Sequence, residues 1–144
     1  MVQGLAGEGV AMAQVQILLS TWNGERWLPA LLDSLLEQTC TDWELLIRDD
    51  GSQDQTLKIL LNWRQAHPGK VAVLEIEGIH LGSAASFSRL VEQSTAPLLM
   101  FCDQDDVWLP HKIAVQLEVM QRLSAQSDTS QPLLVHTDLS LIHI

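Results

Sequence analysis

Short apolar runs alternate with leucine-rich helical stripes along almost the whole chain, and this alternation restricts the fold more than any other feature. The runs cover residues 15–19, 43–47, 71–76, 98–102 and 132–136. Each is short enough for a buried strand and flanked by polar or turn-forming residues. Between them, apolar residues recur at helical spacing. Leu28, Leu31, Leu32, Leu35 and Leu36 form the first stripe, and Leu57, Leu60 and Leu61 the second. Phe87, Leu90 and Val91 form the third, and Ile113, Leu117, Met120 and Leu123 the fourth. Pro29 fits only the first turn of its helix. Ser52 with Gln55 has the spacing of a capping box, and Asp54 suits the positive end of the helix that follows. His67-Pro68-Gly69 stops that helix, Pro97 closes the third and Pro110 opens the fourth. The order β-α-β-α-β-α-β-α-β predicts an α/β fold: a mostly parallel sheet with helices on both faces, joined by right-handed crossovers.

Each of the first four runs ends in a polar cluster. Ser20 to Asn23 follow the first, Asp49 to Ser52 the second, Gly78 to Gly82 the third and Asp103 to Asp106 the fourth. In open α/β sheets the carboxyl edge carries the ligand site, so the four clusters are expected on one rim. The carboxylates of Asp103, Asp105 and Asp106 repel one another, and a hard divalent cation with oxygen ligands relieves that repulsion. Asp105 and Asp106 are the candidate ligands for Mg²⁺ or Mn²⁺. Such ions take few protein carboxylates and fill their shells with water and substrate phosphates, which points to a diphosphate-bearing substrate. Asp50 could accept a hydrogen bond from a nucleobase N–H. Ser20 and Thr21 could hold a base or ribose, or simply bond to backbone. Trp22 could pack on the ligand or in the core. Trp108 is expected to anchor the acidic loop, and His80 and His136 to be structural.

Charge narrows the partners. The chain carries 8 basic and 18 acidic residues in 144, a net −10. This argues against nucleic acid and against a polybasic membrane patch. Cys40 and Cys102 have no CxxC partner, so reduced thiols in a cytoplasmic protein are expected. Residues 1–14 read as a flexible tail without the features of a signal peptide, and no apolar run approaches the ~18 residues of a membrane span. Peripheral contact with the inner face of a membrane is left open. Neither a P-loop nor a dinucleotide fingerprint is present.

Four motifs together resemble the inverting family-two glycosyltransferases with the GT-A fold: Ser20-Thr21-Trp22-Asn23-Gly24, Asp49-Asp50-Gly51-Ser52, the Gly82 segment with Phe87, and Asp103-Gln104-Asp105-Asp106-Val107-Trp108. The last is most similar to the rhamnosyltransferase branch. The resemblance covers nearly all of residues 15–144, the expected nucleotide-sugar-binding domain. It implies a nucleotide-diphosphate sugar donor, dTDP- or UDP-linked, and a glycan or lipid-linked sugar as acceptor. By position it places Ser20 and Trp22 beside the nucleotide, with Thr21, Asn23 and Gly82 as further donor-site positions. Asp50 would contact the base, Asp105 the ribose or sugar, and Asp106 would be the principal metal ligand. His80 departs from the Asn usual in the family before Leu81-Gly82.

Members of the family continue well beyond this length and supply an acidic general base there, so the base is expected past residue 144; Asp138 is not assigned that role. The implied chemistry is direct displacement with inversion, in which base assistance contributes about 10²–10⁴-fold. The fragment is therefore expected to bind donor with little transfer, and the edge left bare by a missing half would favour self-association. Three alternatives stand beside this reading. A non-catalytic nucleotide-sugar-binding remnant differs only in the missing half. A Mg²⁺-binding receiver domain would need a Lys after the fifth strand, yet Lys112 is the last lysine. A sugar nucleotidyltransferase would need a basic, Gly-rich first loop, and Arg26 is the only base nearby.

Overall fold

β1 (Val15–Thr21) is the hub of the sheet and is buried along nearly its whole length on both faces. β2 (Trp43–Asp49) pairs with one edge of β1 and β4 (Leu98–Asp103) with the other; β3 (Val71–Val73) pairs outside β2. The order is β3-β2-β1-β4, with every pair parallel. The computed structural model describes residues 13–74, 78–126 and 132–136.

The helices are α1 (Leu28–Leu36), α2 (Thr56–Ala66), α3 (Ser83–Gln93) and α4 (Lys112–Gln126). Val15, Ile17 and Leu19, with Trp43, Leu45 and Ile47, pack against α1 leucines, Leu60 of α2 and Ile113 of α4. The opposite face brings Leu18 and Leu46 against Leu90 of α3, with Phe87 alongside. Right-handed crossovers produce this division: the chain moves outward from β1 to β3 with its helices on one face, then returns to β4 with α3 on the other. Leu31, Leu35 and Leu45 are fully buried, and truncating such a leucine to Ala typically costs about 2–5 kcal/mol. The α/β class and the helices on both faces are as expected from sequence.

Four expectations need correction or a limit. Residues 132–136 form no strand. Only alternate N–H groups of a strand face a given neighbour, and Pro132 has none, so this short run offers few ladder bonds to stabilise it. Val135 instead stands near Leu98, Met100 and Leu117 without pairing. The third strand ends at Val73; residues 75–77, like Asp138 and most of the tail at 1–14, lie outside the described residues. The Ser52–Gln55 capping box does not form. Gln55 is the N-cap of α2 without a side-chain cap bond, because the Ser52 hydroxyl donates to Asp49 Oδ1 (2.6 Å). Asp54 does meet the helix start, accepting the Thr56 N–H (2.9 Å). Finally, α4 begins at Lys112 rather than Pro110, since residues 110–111 form the preceding turn, where the Pro110 carbonyl accepts the Thr39 N–H (2.9 Å).

Both cysteines are free. Among the described residues no helix is long and apolar enough to cross a membrane. Phe101, Val107, Leu109 and Val115 are exposed apolar residues on or after β4.

Candidate functional site

The loop after β1 is fastened to its neighbours by an exchange of hydrogen bonds. Its successive N–H groups find side-chain acceptors: Trp22 on Gln104 (2.9 Å), Asn23 on Ser52 (2.9 Å), Gly24 on Thr56 (2.7 Å) and Glu25 on Asp54 (3.2 Å). In return Asn23 Oδ1 accepts the Gln53 N–H (2.8 Å) and Glu25 Oε2 the Gln55 N–H (2.9 Å). This satisfies polar backbone groups that a helix start leaves unpaired. It also employs Asn23, at φ 47°, as a brace between loops.

Asp50 immediately follows β2 and is almost wholly buried, with 2% of its surface exposed. Its Oδ1 accepts from Arg48 Nη1 and the Leu81 N–H (2.8 Å). Its Oδ2 accepts from the Gly82 N–H (2.9 Å) and faces His80 Nδ1 at 2.9 Å. Burial alone would raise this carboxyl; the Leu81 N–H, the Arg48 guanidinium and the Gly82 N–H outweigh it and hold it below the usual value of 3.8. Arg48 also donates to Ser86 Oγ (3.0 Å) and the Ile79 carbonyl (3.2 Å), and Ser86 bonds Ser20 Oγ (2.6 Å). Thr21 donates to Asp49 Oδ1 (2.8 Å). The strand-end hydroxyls thus serve side chains rather than backbone. Gly51 has φ 82°, and a Cβ there would lie 3.2 Å from the Gly78 carbonyl and the His80 nitrogen, so the link before α3 sits tightly on this turn.

The acidic loop is organised differently. Asp103, Asp105 and Asp106 lie close enough for their charges to act on one another. Burial, then the charges of Asp106 and Asp105, raise the Asp103 carboxyl above 3.8. Burial and the same carboxylates push the Cys102 thiol well above 9.0, which leaves it protonated and inert. The loop is nevertheless held at both ends. Gln104 bonds the backbone of Trp22. Trp108 is buried, as expected, and its N–H donates to Ser34 Oγ (3.0 Å) in α1.

These pieces surround a hollow of about 290 Å³ at the carboxyl ends of the strands. Ser20, Thr21, Trp22, Asp50 and Asp105, all anticipated from sequence, line it. Asn23, Gly82 and Asp106, also anticipated, do not. Asn23 and Gly82 are committed to the loop bonds above, and Asp106 stands partly buried one residue beyond the lining. Sequence reasoning missed Trp27 and Ser83 in the wall, placed Phe87, Asp103 and Gln104 in the motifs without a ligand role of their own, and assigned His80 to structure. His80 does both jobs: its side chain is 53% exposed, it stacks on Trp22 with ring centroids 4.7 Å apart, and it rests on Asp50. Arg48 passed unnoticed; a basic residue directly after the apolar run at 43–47 was the available signal. Among the described residues, no group of three or more His, Cys, Asp or Glu side chains could hold a metal ion.

The architecture and this chain's sequence have known counterparts. A dTDP-rhamnosyl transferase of Shigella flexneri, RfbG, is 33% identical over 98 residues, covering 66% of this chain and 34% of RfbG. The structure of Staphylococcus aureus TarS 1–349 in complex with UDP superposes with a TM-score of 0.67 at 24% identity, over 76% of this chain and 32% of TarS 1–349. A Pyrobaculum calidifontis mannosyltransferase in complex with GDP-Man and Mn²⁺ gives 0.61 at 22%, over 66% and 28%. These likenesses show the GT-A fold, and the chain spans about a third of the length of these proteins. The model of glycosyl transferase family 2 matches residues 16–132. The chain belongs to glycosyl transferase family 2.

Proposed function

We propose that this chain is the donor-binding part of an inverting, metal-assisted glycosyltransferase that moves a sugar from a nucleoside-diphosphate carrier to an acceptor hydroxyl. One observation carries the reading: side chains from β1, β2, the α3 entrance and the acidic loop converge on a single hollow at the carboxyl edge. The chain has net charge −10, and the described residues that line the hollow include neither Lys nor Arg to meet a diphosphate. The acidic loop fits a hard cation, because its donors are carboxylate oxygens and the charges of Asp106 and Asp105 already weigh on Asp103. Asp106 and Asp105 would hold Mg²⁺ or Mn²⁺, which when bound supplies positive charge to the leaving diphosphate. The Mn²⁺ complex of the archaeal mannosyltransferase supports this use of the fold.

Asp50 acts through His80. The carboxylate is acceptor-only, so His80 Nδ1 is the donor of that contact, and a singly protonated ring would offer Nε2 as an acceptor. It suits a base edge that offers an imino N–H, as uracil, thymine and guanine do and cytosine and adenine do not. Trp22, half-exposed, supplies the packing surface for the base. Among such donors, dTDP-rhamnose has the support of RfbG and a UDP-sugar that of TarS. The acceptor is a glycan or lipid-linked sugar. No described residue is assigned as the general base, so the isolated chain is expected to bind donor and transfer little, at the cytoplasmic side of the membrane. A receiver domain and a nucleotidyltransferase draw no support from the relatives.

Calorimetric titration with UDP, dTDP, GDP, CDP and ADP, each with and without Mn²⁺, tests the reading. Metal-dependent binding of the first three is expected. Equal, metal-independent binding of all five would defeat it.

A further inference from the structure

The loop after β1 and the acidic loop are 82 residues apart in sequence and are joined by one side chain. Gln104 Oε1 accepts the Trp22 N–H (2.9 Å), and Gln104 Nε2 donates to the Trp22 carbonyl (3.0 Å). The carboxamide behaves as a peptide group paired with one residue's backbone, both of its functions engaged. Glutamate could not do this: it has no donor for the carbonyl and would add a further charge beside Asp103 and Asp105.

A second observation explains a glycine. A Cβ on Gly24 would lie 2.3 Å from Gln104 Oε1 and 2.8 Å from its carboxamide carbon, and the third nearest atom, at 3.5 Å, also belongs to Gln104. The φ of Gly24 is outside the left-handed range that would itself demand glycine. Position 24 is therefore kept bare by the Gln104 carboxamide and not by backbone geometry.

The clamp lies between two parts of the hollow. On one side Gln104 is flanked by the carboxylates of Asp103 and Asp105; on the other it grips the residue whose ring lines the wall. We infer that Gln104 is a positioning residue that couples cation binding at the acidic loop to nucleoside-diphosphate binding beside Trp22, with Gly24 providing the space it needs. This inference rests on the donor-site reading above. Coupling of this kind is reciprocal: whatever the cation does for the nucleotide, the nucleotide does for the cation.

The test uses the whole chain and four variants: Gln104→Met, Gln104→Ala, Gly24→Ala, and Gly24→Ala combined with Gln104→Ala. UDP affinity is titrated with and without Mn²⁺, and the ratio of the two affinities is the coupling. Loss of two hydrogen bonds should reduce that ratio about tenfold in Gln104→Met and in Gly24→Ala. Thermal unfolding, with Gln104→Ala as the reference background, supplies a readout that needs no ligand. Gly24→Ala should lower the Tm when Gln104 is present. In the Gln104→Ala background it should leave the Tm unchanged or raise it, because alanine then restricts the unfolded chain without a clash. Equal Tm losses in both backgrounds would overturn the clamp. A wild-type coupling retained in Gln104→Met and in Gly24→Ala would overturn the coupling alone. A wild-type chain that binds no UDP under either condition would overturn the donor-site reading and the coupling with it.

Discussion

Asp50 and the acidic loop approach one hollow from opposite sides of β1, and the fold treats their charges in opposite ways. The Asp50 carboxylate is surrounded by donors from Arg48, Leu81, Gly82 and His80, and its pKa falls. Asp103 faces Asp105 and Asp106, and its pKa rises. Protein atoms complete the first arrangement. The second is left electrostatically unfavourable although its backbone is pinned by Gln104 and Trp108. A held but repulsive cluster beside a satisfied one separates structural from functional charge more clearly than either residue type or burial does.

The largest effect that can break this comparison comes from the Asp50 side. Asp50→Ala leaves the buried Arg48 guanidinium (side chain 5% exposed) without its charge partner, which should cost about 3–5 kcal/mol. Urea unfolding at pH 7 measures it, and a loss near zero would mean the network is not what ties β2 to the α3 entrance. The acidic side should respond in the other currency. Asp106→Ala should remove most of the metal-dependent gain in UDP affinity, at least about tenfold, consistent with a lost charge-assisted ligand, while the urea midpoint stays within error of wild type. Equal damage to stability would erase the contrast.

A smaller effect sharpens the role of His80. His80→Asn should narrow the preference for UDP over CDP by several-fold, about 1 kcal/mol for one hydrogen bond, as read by competition titration. An unchanged preference would remove His80 from base recognition. The smallest effect is on pH dependence. The folded pKa of Asp50 lies below 3.8, so its contribution is present above that value and is lost as pH falls through the folded pKa. The folded pKa of Asp103 lies above 3.8, so ionising it opposes folding at neutral pH, and stability from this group returns as pH falls through the raised value. Asp103→Asn should therefore raise the Tm slightly at pH 7, with the gain vanishing as pH approaches 3.8. A Tm loss at pH 7 would show that Asp103 has a stabilising partner.

Short apolar runs and a 3.6-residue periodicity were enough to place β1, β2, β4 and all four helices, because those elements are held by local pattern and by burial. The segment at 132–136 has the same apolar pattern, but strand formation depends on ladder partners that composition does not reveal. The rim of the hollow was legible for the same reason the strands were: polar clusters after apolar runs share one sheet edge. Which of those polar side chains face the hollow was not legible. Asn23 and Gly82 are taken by bonds to partners 30 and 32 residues away, and Ser52 is held by Asp49 instead of capping α2. Arg48, Gln104 and His80 act only through contacts that exist once the loops meet. Motif resemblance supplied the donor-site positions; it had no means of showing that Asp50 is in contact with His80.

The most direct test of the contrast between satisfied and unsatisfied charge is a calorimetric titration of the wild-type chain with Mn²⁺ in the presence of saturating UDP, repeated with Asp106→Ala. The account predicts one Mn²⁺ site in the wild type and loss of that site in the variant, with the fold intact by circular dichroism. Unchanged Mn²⁺ binding by Asp106→Ala would contradict it.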